Sequence, residues 1–118
     1  MAVTEYTGNT QTATINTEHS LALISAAGVY QLVVNLSNMA NGDVLELRAY
    51  LAVRSTNSRL LAKIATYANK QGDGTADSGG DGEVIAFSIP FSSPFDIRFT
   101  LKQTAGTGKD YIWSVYQL

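Results

Sequence analysis

The string Gly106-Thr107-Gly108-Lys109 is the first place to look for chemistry, because short glycine-rich loops ending in lysine often hold phosphate. A phosphate loop has the spacing G-x-x-x-x-G-K-[ST], lies between a strand and a helix, and aims its backbone N–H groups at the anion. Here no glycine heads that spacing, and Asp110 stands where the magnesium-binding hydroxyl belongs. The segment that follows, "YIWSVYQL", is aromatic and β-rich with no helical period. The string therefore reads as a hairpin loop between the last two strands, with glycine supplying positive φ.

Carboxylates give the second candidate. Asp73, Asp77 and Asp81 lie in "NKQGDGTADSGGDG", which carries five of the ten glycines, and Glu83 follows it directly to complete the cluster. Hard cations such as Ca²⁺ want several oxygen ligands, and glycine lets a loop wrap them. The EF-hand pattern nevertheless fails at Thr75 and lacks its aligned glutamate, so the competing reading is a solvated acidic loop. No metal or other cofactor is expected. The single histidine, His19, excludes a histidine pair, and no G-x-S-x-G supports a serine nucleophile. Glu46, Asp43 and Asp96 are the carboxylates that a glycoside hydrolase would have to recruit. Glu46 shares a strand face with Arg48 and reads instead as a solvent-side ion pair. These residues point to no enzyme.

Aromatic side chains are the third candidate. Tyr30, Tyr50, Tyr67, Tyr111, Trp113 and Tyr116 could form a platform on which sugars stack, as in a receptor- or glycan-binding domain of a tail fibre or head fibre. The favoured reading is that they fill a sandwich core or a subunit interface, where Tyr and Trp are enriched.

The elements that would position these groups are strands. Residues 21–26 and 29–36 are apolar runs separated by Gly28, and Tyr30, Leu32, Val34 and Leu36 share a face by the period of two. Asn41-Gly42 is the strongest hairpin signal. In 44–53, Leu45, Leu47, Ala49, Leu51 and Val53 form an apolar face directed at a core, opposite Val44, Glu46, Arg48, Tyr50 and Ala52. Residues 59–68 fit a helical stripe as well as a strand, and their setting among strands favours the strand. Residues 83–89 make another strand, ended by Pro90 and Pro94. In 95–102, Phe95, Ile97, Phe99 and Leu101 alternate with polar residues. The last strand, 110–118, has Ile112 and Val115 out of register and suggests a bulge or burial on both faces. About eight short strands predict one all-β domain, an antiparallel β-sandwich or jelly roll over 17–118. Residues 1–16, polar and rich in threonine, form an extended N-terminal arm or edge strand.

Composition limits the possible roles. A chain of 118 residues builds one core, and 45% hydrophobic residues can fill it. Charged residues are 15%, against about 25% in ordinary domains, so the surface is unusually neutral. A net charge of −2 gives no basic footprint for nucleic acid, and the apolar runs are too short to span a membrane. No signal peptide is recognisable after Met1, which predicts synthesis in a cytoplasm. The absence of cysteine removes disulfides and thiolate sites.

Two blocks carry a resemblance: "FTLKQTAGTGKDYIWSVYQL" at 99–118 and "GVYQLVVNLSNMANGDVLELRAYLAV" at 28–53. Together they resemble small virion structural proteins of tailed bacteriophages. In that group a strand ends in TLKQTAGTG, an aromatic strand ends the chain, and an N-G-D turn precedes a long alternating strand. The match covers about half the chain, and its signature is structural. The resemblance implies a decoration or cement protein on the outer capsid of a virion, often trimeric, whose partners are its own copies and the major capsid protein. The long "GDGTADSGGDG" insertion departs from the group. On this reading the contact residues are Tyr6, Thr7, Asn9, Thr12 and Ile15 of the arm, with Tyr111, Trp113 and Tyr116 of the last strand.

Overall fold

A computed structural model describes residues 2–72 and 82–118. Within them the chain forms β1 (Thr4–Thr12), β2 (Glu18–Ile24), β3 (Gly28–Asn35), β4 (Val44–Leu51), β5 (Leu60–Ala68), β6 (Ile85–Phe87), β7 (Phe91–Ser93), β8 (Ile97–Ala105) and β9 (Asp110–Gln117). Two antiparallel sheets pack face to face as a β-sandwich. One sheet has the order β1-β9-β3-β6, with β7 also paired to β3; the other has the order β2-β8-β4-β5.

The order follows from one simple path. If β6 and β7 are counted as one interrupted strand, β4 pairs with β5, β3 with β6/β7, β2 with β8 and β1 with β9. These are the pairs of a single long hairpin. Rolling that hairpin up adds β3 to β9 and β4 to β8, which makes a jelly roll. Pro90 has no N–H to give to a ladder, which fits the break between β6 and β7.

The period of two places the core. Tyr30, Leu32 and Val34 from β3 and Tyr111, Trp113 and Val115 from β9 face Leu45, Leu47 and Ala49 from β4 and Ile97, Phe99 and Leu101 from β8. Each Val, Leu, Ile or Phe among them contributes roughly 1.5–3 kcal/mol on burial. Phe91 meets Phe99 edge to face, with ring centroids 5.9 Å apart. The buried hydroxyls are satisfied: Tyr30 donates to the Ala26 carbonyl and Tyr111 to Gln103 Oε1, each at 3.0 Å.

Several expectations need correction. Val53 is 82% exposed, because β4 ends at Leu51 and the chain turns before Val53 can reach the core. The Asn41-Gly42 turn joins β3 to β4, which lie in different sheets, so it is a crossover and not a hairpin. Gly42 does supply the positive φ, at 97°. Val115 is in register with Tyr111 and Trp113, and Ile112 alone of the two faces outward. Of residues 59–68, Leu60–Ala68 form a strand, as their setting favoured. Within the polar arm Thr4–Thr12 is an edge strand, paired with β9 from Thr4↔Gln117 to Thr12↔Asp110.

Candidate functional site

The Gly106–Lys109 loop carries the chain from β8 in one sheet to β9 in the other, so it too is a crossover and not a hairpin. Its polar groups turn inward onto a carboxylate of the same chain. Lys109 Nζ lies 3.0 Å from Asp43 Oδ2, and the Thr107 N–H donates to Asp43 Oδ1 at 3.1 Å. The Ala40 N–H donates to Asp43 Oδ2 at 2.9 Å. Gly106 has φ 86°, and a Cβ there would fall 2.0 Å from Asp43 Oδ1. The close approach that glycine allows therefore serves this internal anion. Burial works to raise the Asp43 carboxyl, but these donors outweigh it and hold the group below its ordinary value.

Gln103 completes the staple. Fully buried, it donates to the carbonyls of Ala105 and Thr107 and accepts from the Lys109 N–H and the Tyr111 hydroxyl. Burial, with Asp43 nearby, pushes the Tyr111 hydroxyl up to about 12. The connection between β1 and β2 docks on the same loop: the Ala13 N–H donates to the Lys109 carbonyl and the Asn16 N–H to the Gln103 carbonyl. His19, near the start of β2, braces this connection, its Nε2 accepting from the Thr14 N–H at 3.0 Å.

The two outer faces of the sandwich differ in character. On the β2-β8-β4-β5 sheet, Arg48 donates to Glu46 Oε1 at 2.6 Å and approaches Glu18 at 3.5 Å. Glu18 also accepts from the hydroxyls of Tyr50 and Thr100. Burial tends to raise the Glu18 carboxyl, yet the two hydroxyls, Arg48 and Arg98 hold it below its usual value. Arg98 lies over the Tyr50 ring, 5.4 Å from its centroid. The middle of this face meets its polar needs within its own network, while Leu23 on β2 and Leu61 and Ile64 on β5 are exposed at its edges; Glu46 is the partner of Arg48 that the alternation indicated.

The outer face of the β1-β9-β3-β6 sheet is apolar across its middle. Phe87 (67% exposed) and Ile112 (58% exposed) lie on it with Ile85, Tyr116 and half-buried Val33. The register aligns Ser114, Val33 and Phe87 in one row, with Tyr116 opposite Gln31 in the next. Carboxylates sit on this face at its β1 side, where Glu5 accepts from Ser114 and Asp110 from Thr12.

Among the expected contact residues, Tyr6, Asn9 and Thr12 are exposed on β1, Thr7 is half-buried, and Ile15 lies half-buried in the turn after the strand. Tyr6 is the extra residue of a bulge and meets Tyr30 edge to face at 5.1 Å. Tyr111 and Trp113 are buried in the core because they share the inner face of β9, so Tyr116 alone of the three reaches the surface. With Tyr30 and Tyr111 also inside, the rings considered for a sugar platform do not share a surface. Asp73, Asp77 and Asp81 lie outside the described residues, while Glu83 is exposed. Among the described residues, no three His, Cys, Asp or Glu side chains gather to hold a metal. Asp96 pairs with Arg59 at 3.0 Å.

No family model, curated protein or solved structure matches the chain. The outer-face residues Ile85 and Phe87 were not singled out in the sequence. Their signal was there, because in "EVIAFSI" both strand faces are apolar, and a strand with one wet face would alternate.

Proposed function

We propose that this chain is a phage virion structural protein, a capsid decoration protein that lies on the outer capsid surface and bridges major capsid subunits. The observation that carries the proposal is the contrast between the middles of the faces: Phe87, Ile112, Ile85, Tyr116 and Val33 offer apolar area on one sheet, while the other closes its charges on itself between the exposed Leu23 and Ile64 of its edge strands. An apolar sheet face rimmed by polar groups is suited to docking on another protein. A network such as Glu18-Arg48-Glu46 suits a face left in water. The resemblance of residues 28–53 and 99–118 supports the virion setting, and the neutral surface is compatible with crowding on a shell.

On this reading the β1-β9-β3-β6 face meets the capsid. Specific association needs about 800 Å² on each partner, and repetition over a lattice multiplies weak contacts. A reconstructed virion map tests the proposal. Density for this fold on the outer shell, with Phe87 and Ile112 toward the capsid, is the expected result. Absence of the protein from purified virions by mass spectrometry would overturn it.

A further inference from the structure

We propose that β5 is a seam at which two copies of this chain join, antiparallel, with Ala65 on the twofold axis. β5 is the outermost strand of its sheet, paired with β4 on one side, and among the described residues no strand pairs with its other side. An edge of this kind presents unpaired N–H and C=O groups to any second strand. The other edges are guarded. β1 is polar and bulged at Tyr6, β2 is bulged at Leu21, and β6 and β7 are three residues each and separated by Pro90. β5 has nine residues, with exposed Leu60 (68%), Leu61 and Ile64 (41%), and Lys63 is its one charge.

The occupant is a second β5 because the strand complements itself. Its irregularity falls at Ala62, leaving Lys63–Ala68 in unbroken register with Val44–Ala49. With Ala65 opposite its own copy, Lys63 faces Tyr67 of the second strand and Ile64 faces Thr66. No lysine opposes a lysine, and the ammonium meets an aromatic ring, a favourable cross-strand pair. Lys63, Ala65 and Tyr67 also line an apolar slot of about 140 Å³ together with the core residues Leu47 and Phe99. A strand added along β5 would border that slot. Two four-stranded sheets would then run on as one sheet of eight.

The seam does not depend on the capsid reading. Being twofold, it would not build a threefold ring, but it could link one ring to the next. Sedimentation equilibrium on the intact chain, at concentrations up to about 100 µM, tests it with two double variants on the exposed face of β5. I64K/T66K sets lysine against lysine twice across the axis, and I64E/T66K sets glutamate against lysine. Circular dichroism checks that both variants fold. The expected result is that I64K/T66K has half the mass of the unaltered protein, while I64E/T66K keeps the full mass. A monomeric unaltered protein, a mass that survives I64K/T66K, or a loss of association in both variants would overturn the proposal.

Discussion

Lys109 and Asp43 are 66 positions apart in the chain, and their side chains meet at 3.0 Å where each crossover runs into its next strand. The contact ties the turn before β4 to the loop before β9. Asp43 is almost wholly buried, so removing it leaves the Ala40 and Thr107 N–H groups and the lysine without their acceptor. We expect Asp43→Ala to cost about 2–4 kcal/mol, read as a lower urea midpoint at pH 7.

Acid should reveal the same contact. The Asp43 carboxyl is held below its ordinary value in the folded chain, and so is Glu18. A depressed folded value means that the stabilisation is complete above the unfolded value of about 4, and is lost as pH falls through the folded one. Urea midpoints between pH 5 and 2 should therefore decline. The decline should be shallower in Asp43→Asn, which starts lower but has one fewer carboxylate to protonate. Parallel curves for the two proteins would refute this.

Two glycines with positive φ should respond unequally to alanine. A Cβ at Gly42 meets nothing within 4 Å, whereas one at Gly106 runs into the Asp43 side chain and backbone. Gly42→Ala should cost about 1–2 kcal/mol for the conformation alone. Gly106→Ala should cost clearly more, because the clash displaces the carboxylate that the loop encloses. Equal losses in thermal melts would contradict the crossover staple.

Truncation should divide the arm at Ala13. Residues 4–12 form one edge strand with largely exposed side chains, so a chain lacking 2–12 should still melt cooperatively. Removing 2–16 also deletes buried Ala13 and the hydrogen bonds from Ala13 to Lys109 and from Asn16 to Gln103. That step should cost about 2–4 kcal/mol more in urea titration.

The apolar face can be tested without disturbing the core. Phe87→Glu and Ile112→Glu alter exposed side chains, so stability should shift by about 0.5 kcal/mol or less. Binding to purified capsids should weaken at least tenfold, equivalent to about 1.4 kcal/mol. Glu46→Gln on the opposite sheet should leave capsid binding unchanged.

The strand faces were legible in the sequence because a period of two is a local signal. Leu45, Leu47 and Ala49 alternate with Glu46 and Arg48, and the structure buries the first set. Which sheet each strand joins was not legible, since alternation identifies a face without naming a neighbour. Asn41-Gly42 and Gly106–Lys109 therefore looked like hairpins. The buried polar pair Asp43 and Gln103 was hidden for a related reason. The partners of Gln103 lie in the loop that follows it, at Ala105, Thr107 and Lys109, and the buried Asp43 carboxylate makes sense only once Thr107 and Lys109 come beside it from the far crossover.

The pairing of Thr4 with Gln117 brings the two ends of the roll side by side on one rim. Polypeptide grafted ahead of Thr4 and polypeptide grafted after Gln117 would leave the body at the same point, so either position offers the same site for displaying a fused cargo. A short linker could also join the two positions, and new termini could then be opened at the exposed Asn41-Gly42 bend to give a circular permutant with the sheets unaltered.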